Sequence, residues 1–143
     1  MPTINRKSPK KQSRILAKTD RYKARRKIYN SKDWKKGLRL IQLRKQPLCQ
    51  VCLLLGKTTL AECVHHITTF VGVQTVEEMY DLAFNEDNLC SLCNRHHQML
   101  HNLESFKNKK EKDPTELAEY LKQNPTIEND FSDTNEINDE DDA

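Results

Sequence analysis

Two closely spaced pairs of cysteines, with histidines crowded around the second, constrain this chain more than anything else in it. Cys49-x-x-Cys52 is half of a tetrahedral thiolate site, because two intervening residues let one tight turn present both sulfurs to the same ion. Residues 90–101 read CSLCNRHHQMLH. The other half is either Cys90 with Cys93 or Cys93 with His96, since each pair spans two residues. Spacing alone leaves the two open.

A metal is what such a chain needs. With 143 residues, 36% of them hydrophobic, and a mean hydropathy of −0.87, only part of the sequence can bury a core, and a small core is commonly stapled by a structural ion. Five cysteines, an odd number, argue against simple pairing into disulfides. No apolar run approaches the roughly 20 residues needed to cross a bilayer, and the basic N-terminus has no apolar stretch of the signal-peptide kind. These features predict a reducing, cytoplasmic setting and no membrane.

The charge is strongly polarised along the chain. Residues 1–45 hold 17 Lys and Arg against Asp20 and Asp33, whereas residues 113–143 hold 11 acids against Lys122 alone. The basic end, residues 1–30, is poor in apolar residues and is expected to lack stable structure when free. Its density of charge, with Tyr22 and Tyr29 interleaved, predicts contact with a phosphate backbone through residues such as Arg21, Lys23, Arg25, Arg26 and Lys27. The acidic end, residues 126–143, has no period and is also read as disordered, either solvated or masking the basic arm until DNA competes.

Between these ends the pattern is helix, short strands, helix. SKDWKKGLRLIQLRKQP predicts a helix capped by Ser31 and ended by Pro47, with Trp34, Leu38 and Ile41 on its apolar face. Residues 53–59, containing Gly56, read as a turn after the first cysteine pair. LAECVHHITTF and FVGVQTV carry β-branched residues without helical period and are read as strands; VEEMYDLA is read as a helical turn. A helix is expected over 94–106, and DPTELAEYLKQNP predicts another, with Asp113 as cap, Pro114 in the first position, Glu116 closing a capping box, and Asn124-Pro125 as stop. The expected units are a basic arm at 1–30, a domain at 31–106, a C-terminal helical segment at 107–125, and a tail at 126–143.

The order of these elements, Cys49-x-x-Cys52, then His65-His66 before Ile67, then Asn88-Leu89, then Leu92-Cys93 with His96-His97, resembles the HNH endonuclease family in its zinc-knuckle form. The resemblance covers roughly residues 29–103. A proline common soon after the first histidine pair is replaced by Thr68 and Thr69. It implies a small α+β domain of the ββα-metal type, and a structural zinc held by Cys49, Cys52, Cys93 and His96. Cys63 and Cys90 are then packing residues. It further implies that His65 is a ligand of a catalytic divalent ion (Zn2+, Ni2+, Mn2+ or Mg2+), that His66 is the general base, and that Asn88 pins a loop to orient that base.

The residues add physical support of their own. Consecutive residues of a strand face opposite ways, so His65 and His66 should have different jobs. His97 and His101 are spaced i, i+4 and share a helix face, which suits joint ligation with His65. The implied activity is hydrolysis of DNA phosphodiester bonds, by nicking or double-strand cutting. Likeness to phage-type members implies a place in phage DNA processing and packaging beside a terminase. The competing reading is a non-catalytic zinc-binding module for DNA or RNA, in which the basic arm matters and the histidines do not.

Overall fold

The computed structural model describes residues 18–131; the basic residues 1–17 and the acidic residues 132–143 lie outside it. The described chain runs through α1 (Lys18–Asn30), a π-helical turn (Asp33–Leu38) continuing into α2 (Arg39–Lys45), α3 (Gln50–Leu54), β1 (Cys63–His66), α4 (Val76–Ala83), a 3-10 turn (Glu86–Asn88), β2 (Leu89–Leu92), α5 (Asn94–Asn102), α6 (Pro114–Gln123) and α7 (Pro125–Asp130). The antiparallel hairpin of β1 and β2 followed by α5 makes a ββα unit in a small α+β fold.

Register explains how the hairpin divides the interior. Val64 pairs with Ser91 and His66 with Leu89, whereas Cys63 pairs with Leu92 and His65 with Cys90. Side chains alternate across a sheet. Val64 and Leu89 therefore join Ile28, Tyr29, Trp34, Phe70, Val73, Met79 and Ala83 in one core. On the opposite face Cys90 and Leu92 join Val51, Met99, Leu100, Phe106, Leu117 and Leu121 in the other. His65 and His66 thus belong to different sides of the sheet.

Several elements depart from the sequence-based expectations for physical reasons. Residues 18–30, read as unstructured, form α1 because Ile28 and Tyr29 are anchored in the core that holds Val64 and Leu89, fully buried and 7% exposed. Ser31 accepts from the amide of Trp34 at 3.3 Å but starts a π-turn, and the wider turn shifts the phase of the helix. Trp34 and Gln42 are buried, and Ile41, placed on the apolar face by a strict 3.6 period, is 47% exposed. The FVGVQTV segment is a loop: Gly72 has φ +78° and the amide of Val73 turns back to the Phe70 carbonyl at 3.1 Å, so Phe70 and Val73 fill the core without pairing to a strand.

The C-terminal part is more ordered than its composition indicates. α5 ends at Asn102 rather than 106, and the chain then turns back so that residues 110–112 run beside residues 67–69: Lys112 N to Ile67 O and Thr69 N to Lys110 O are each 2.8 Å. Asp113 caps α6 by accepting from Thr115 N at 2.9 Å, and Glu116 pairs with Lys109 at 3.1 Å instead of closing a capping box. Residues 126–130, read as part of a disordered tail, belong to α7, which starts at Pro125.

Candidate metal centres and active site

The first cluster is assembled by three short elements. Cys49 caps α3 and Cys52 lies within it, held by the turn at Gly56, whose φ of +81° lets the amide of Lys57 reach the Cys52 carbonyl at 2.8 Å. Cys93 is the N-cap of α5 and His96 sits in its first turn. Nδ1 of His96 lies 3.7 Å from Cys49 Sγ and 3.4 Å from both Cys52 Sγ and Cys93 Sγ, while Cys52 Sγ and Cys93 Sγ are 4.0 Å apart. Bond lengths of about 2.3 Å to sulfur and about 2.05 Å to nitrogen give tetrahedral edges of roughly 3.8 Å between sulfurs and roughly 3.5 Å from sulfur to nitrogen. The donor set has the dimensions of a tetrahedral ion site.

Its electrostatics point the same way. Hydrogen bonding with Cys93 holds the Cys49 thiol down to about 3, while Cys93 is pushed up by that same partnership and by burial, and burial pushes Cys52 up as well. Three thiols this close cannot all ionise without a cation among them. Cys90 stands elsewhere, opposite His65 on β2, with burial pushing its thiol up to about 12.

The second cluster lies on the same side of the sheet as Cys90. His65 from β1 and His97 and His101 from α5 each offer a ring nitrogen, all within 4.8 Å of one another, and His97 Nε2 and His101 Nε2 are 3.2 Å apart. His65 Nε2 lies 2.8 Å from the carbonyl of Lys112. A carbonyl only accepts, so Nε2 carries the proton and the Nδ1 lone pair is the one a cation would use. Lys112 is itself fully buried, its ammonium donating to the carbonyls of Phe106 at 2.7 Å and Lys107 at 2.9 Å. Three neutral imidazoles converging on one point suit a divalent ion and leave coordination positions for other ligands.

His66 is on the other face, fully buried and stacked on Trp34 with ring centroids 5.0 Å apart. Its Nε2 donates to the carbonyl of Ala83 at 3.1 Å, and the hydroxyl of Tyr29 donates to its Nδ1 at 3.2 Å. Asn88 builds the surroundings: its Oδ1 accepts from Thr68 N at 2.7 Å, and its Nδ2 donates to Thr68 O at 3.0 Å and Leu82 O at 3.1 Å. One amide thereby ties the loop after β1 to the end of α4, whose next carbonyl holds His66.

Of the basic residues singled out on α1, Lys23, Arg26 and Lys27 are exposed and Arg21 is half-buried. Arg25 is 6% exposed, its guanidinium 5.4 Å from the Tyr22 ring centroid, so it is not on the solvent face. Sequence reasoning missed Ala83, Lys112 and Glu128 as neighbours of the histidines. Only Pro125 after Asn124 hinted at a helix that would carry Glu128. No described helix is long and apolar enough to cross a membrane.

No family model and no curated protein matches the chain. Among solved structures it is similar to that of the deep-sea thermophilic bacteriophage GVE2 HNH endonuclease with manganese ion, with 36% identity over 56% of this chain and 80% of that one and a TM-score of 0.46. Over a third of aligned residues being identical across four-fifths of the relative's length is a sequence relationship, independent of how closely the backbones superpose. The chain belongs to the HNH endonuclease family.

Proposed function

We propose that this protein is a metal-dependent endonuclease that hydrolyses DNA phosphodiester bonds. The observation that carries the reading is the convergence of His65, His97 and His101 across the ββα unit, separate from a thiolate cluster of tetrahedral dimensions. When bound at the three histidines, a divalent ion supplies Lewis-acid polarisation of the scissile phosphate and offsets charge on the leaving 3′ oxygen. The relative contains manganese, and imidazole ligands favour Zn2+ or Ni2+ in affinity, so all three ions and Mg2+ belong in the assay. Zn2+ is assigned to Cys49, Cys52, Cys93 and His96 on ligand type.

His66 is the proposed general base. The Ala83 carbonyl fixes the proton on Nε2, which leaves Nδ1 to receive a proton from the attacking water once the Tyr29 hydroxyl moves aside. Asn88 orients this base through the end of α4 and touches no substrate. Lys23, Arg26 and Lys27 on α1 meet the phosphate backbone, giving affinity with little sequence preference. A role in phage DNA processing and packaging beside a terminase, in the host cytoplasm, is proposed on the relative's bacteriophage source.

The burial of His66 favours a second reading, a zinc-binding DNA or RNA module without catalysis. Plasmid nicking by the full chain with Mn2+, Mg2+, Ni2+ or Zn2+ separates the two. Nuclease chemistry predicts that His66→Ala abolishes nicking while plasmid binding and metal content persist. If the wild-type chain nicks with none of the four ions, the binding module is the correct reading.

A further inference from the structure

His96 has a partner that neither spacing nor the thiolate cluster demands. Both oxygens of Glu128 face its Nε2, at 2.9 and 3.1 Å, and the residue comes from α7. An ionised carboxylate can only accept, so it fixes the proton on Nε2 and turns the Nδ1 lone pair toward the three sulfurs. His96 is 1% exposed and the Glu128 side chain is 17% exposed, so the contact is partly shielded from water. The remaining contacts of α7 gather at the same place. Arg95, beside His96, donates to the carbonyls of Glu128 and, at 3.2 Å, of Phe131, and its guanidinium lies 5.7 Å from the Phe131 ring centroid. Lys57, just after the cysteine turn, is 3.8 Å from the Glu128 carboxylate. A cavity of about 480 Å3 lined by Cys52, Cys93, His96 and Glu128 runs along this seam.

We propose that Glu128 is a positioning residue for the thiolate metal site, and that seating of α7 and loading of that site are one coupled event. This rests on the ligand set Cys49, Cys52, Cys93 and His96. The physical reason is that a carboxylate on the far nitrogen orients a ligating imidazole and raises its basicity, and losing such a partner commonly costs about 10- to 100-fold in metal affinity. The ion in turn fixes the ring that Glu128 grips, so whatever strengthens one strengthens the other. The start of the acidic segment thereby belongs to the metal site, and α7 docks about 10- to 100-fold more tightly on a loaded site.

Titration of the full chain with Co2+ tests this, because thiolate-to-cobalt absorption reports the cysteine site alone and ignores the three histidines. Glu128→Ala should reach the same final absorption as wild type, with half-saturation shifted about 10- to 100-fold upward. In parallel, chymotryptic cleavage after Phe131 should be slow in the Co2+- or Zn2+-loaded wild-type chain, fast after chelation, and fast in Glu128→Ala at subsaturating metal. Equal half-saturation in wild type and Glu128→Ala, or cleavage after Phe131 that ignores metal in the wild type, would overturn the coupling. Failure of the ligand set would look different: Cys93→Ser would then keep the full thiolate spectrum.

Discussion

The hydroxyl of Tyr29 sits 3.2 Å from Nδ1 of His66, on the ring nitrogen that a general base must turn toward water. The contact joins α1, the helix whose exposed basic residues are proposed to meet DNA, to the proposed base on β1. Removing the hydroxyl with Tyr29→Phe leaves the ring packed near Trp34 and Phe70, at 5.6 and 6.1 Å between centroids. A neutral hydrogen bond is worth about 1 kcal/mol, so the single-turnover nicking rate should rise about fivefold with unchanged DNA affinity. A slower Tyr29→Phe enzyme would show instead that the hydroxyl assists His66.

The cysteines can be sorted chemically. Cys90→Ser should retain the thiolate-bound ion at full stoichiometry, because Cys90 lies in the core opposite His65, whereas Cys93→Ser should lose it. Iodoacetamide at pH 8 should modify the metal-loaded chain at half-buried Cys63 only. Chelation should add Cys49 first, because its thiol is held down to about 3, while Cys90 stays protected because burial pushes its thiol up to about 12. Intact-mass counting of adducts decides this, and early labelling of Cys90 would contradict the geometry.

At the three-histidine site, His97→Ala or His101→Ala should weaken binding of Mn2+ or Ni2+ by at least about 100-fold, the upper end of what even an outer partner costs. The Co2+ thiolate spectrum should not change, because His96 faces the other cluster. Calorimetric titration with each ion reads the first effect. Loss of both sites from one histidine substitution would mean that the clusters are not independent.

Asn88 should matter to stability before it matters to chemistry. Asn88→Ala strands Thr68 N, Thr68 O and Leu82 O, three backbone groups that the amide now satisfies beside a residue only 7% exposed. Leaving such groups unpaired should cost about 2 to 4 kcal/mol in urea unfolding. Asn88→Asp keeps one acceptor but offers no donor to the two carbonyls, so it should be no better. A change under about 0.5 kcal/mol would mean that the loop is held by something else.

What the sequence determined by itself was local. Two residues between Cys49 and Cys52 place both sulfurs on one turn, adjacent positions on a strand send His65 and His66 to opposite faces, and a four-residue step puts His97 and His101 on one side of α5. The ββα order follows from the family resemblance and not from these periods, since the second segment read as a strand, FVGVQTV, is a loop and β2 is Leu89–Leu92. Cys90 and His96 could not be told apart that way, since both stand three residues from Cys93. The boundary between β2 and α5 separates them, carrying Cys90 into the core and His96 into the first helical turn beside the thiols. Partners met across the fold were beyond local reasoning altogether: Tyr29 is 37 residues from His66, Lys112 is 47 from His65, and Glu128 is 32 from His96. Such pairs form because separate elements bury apolar faces against the same hairpin, and which polar groups then meet is settled only by the path of the whole chain.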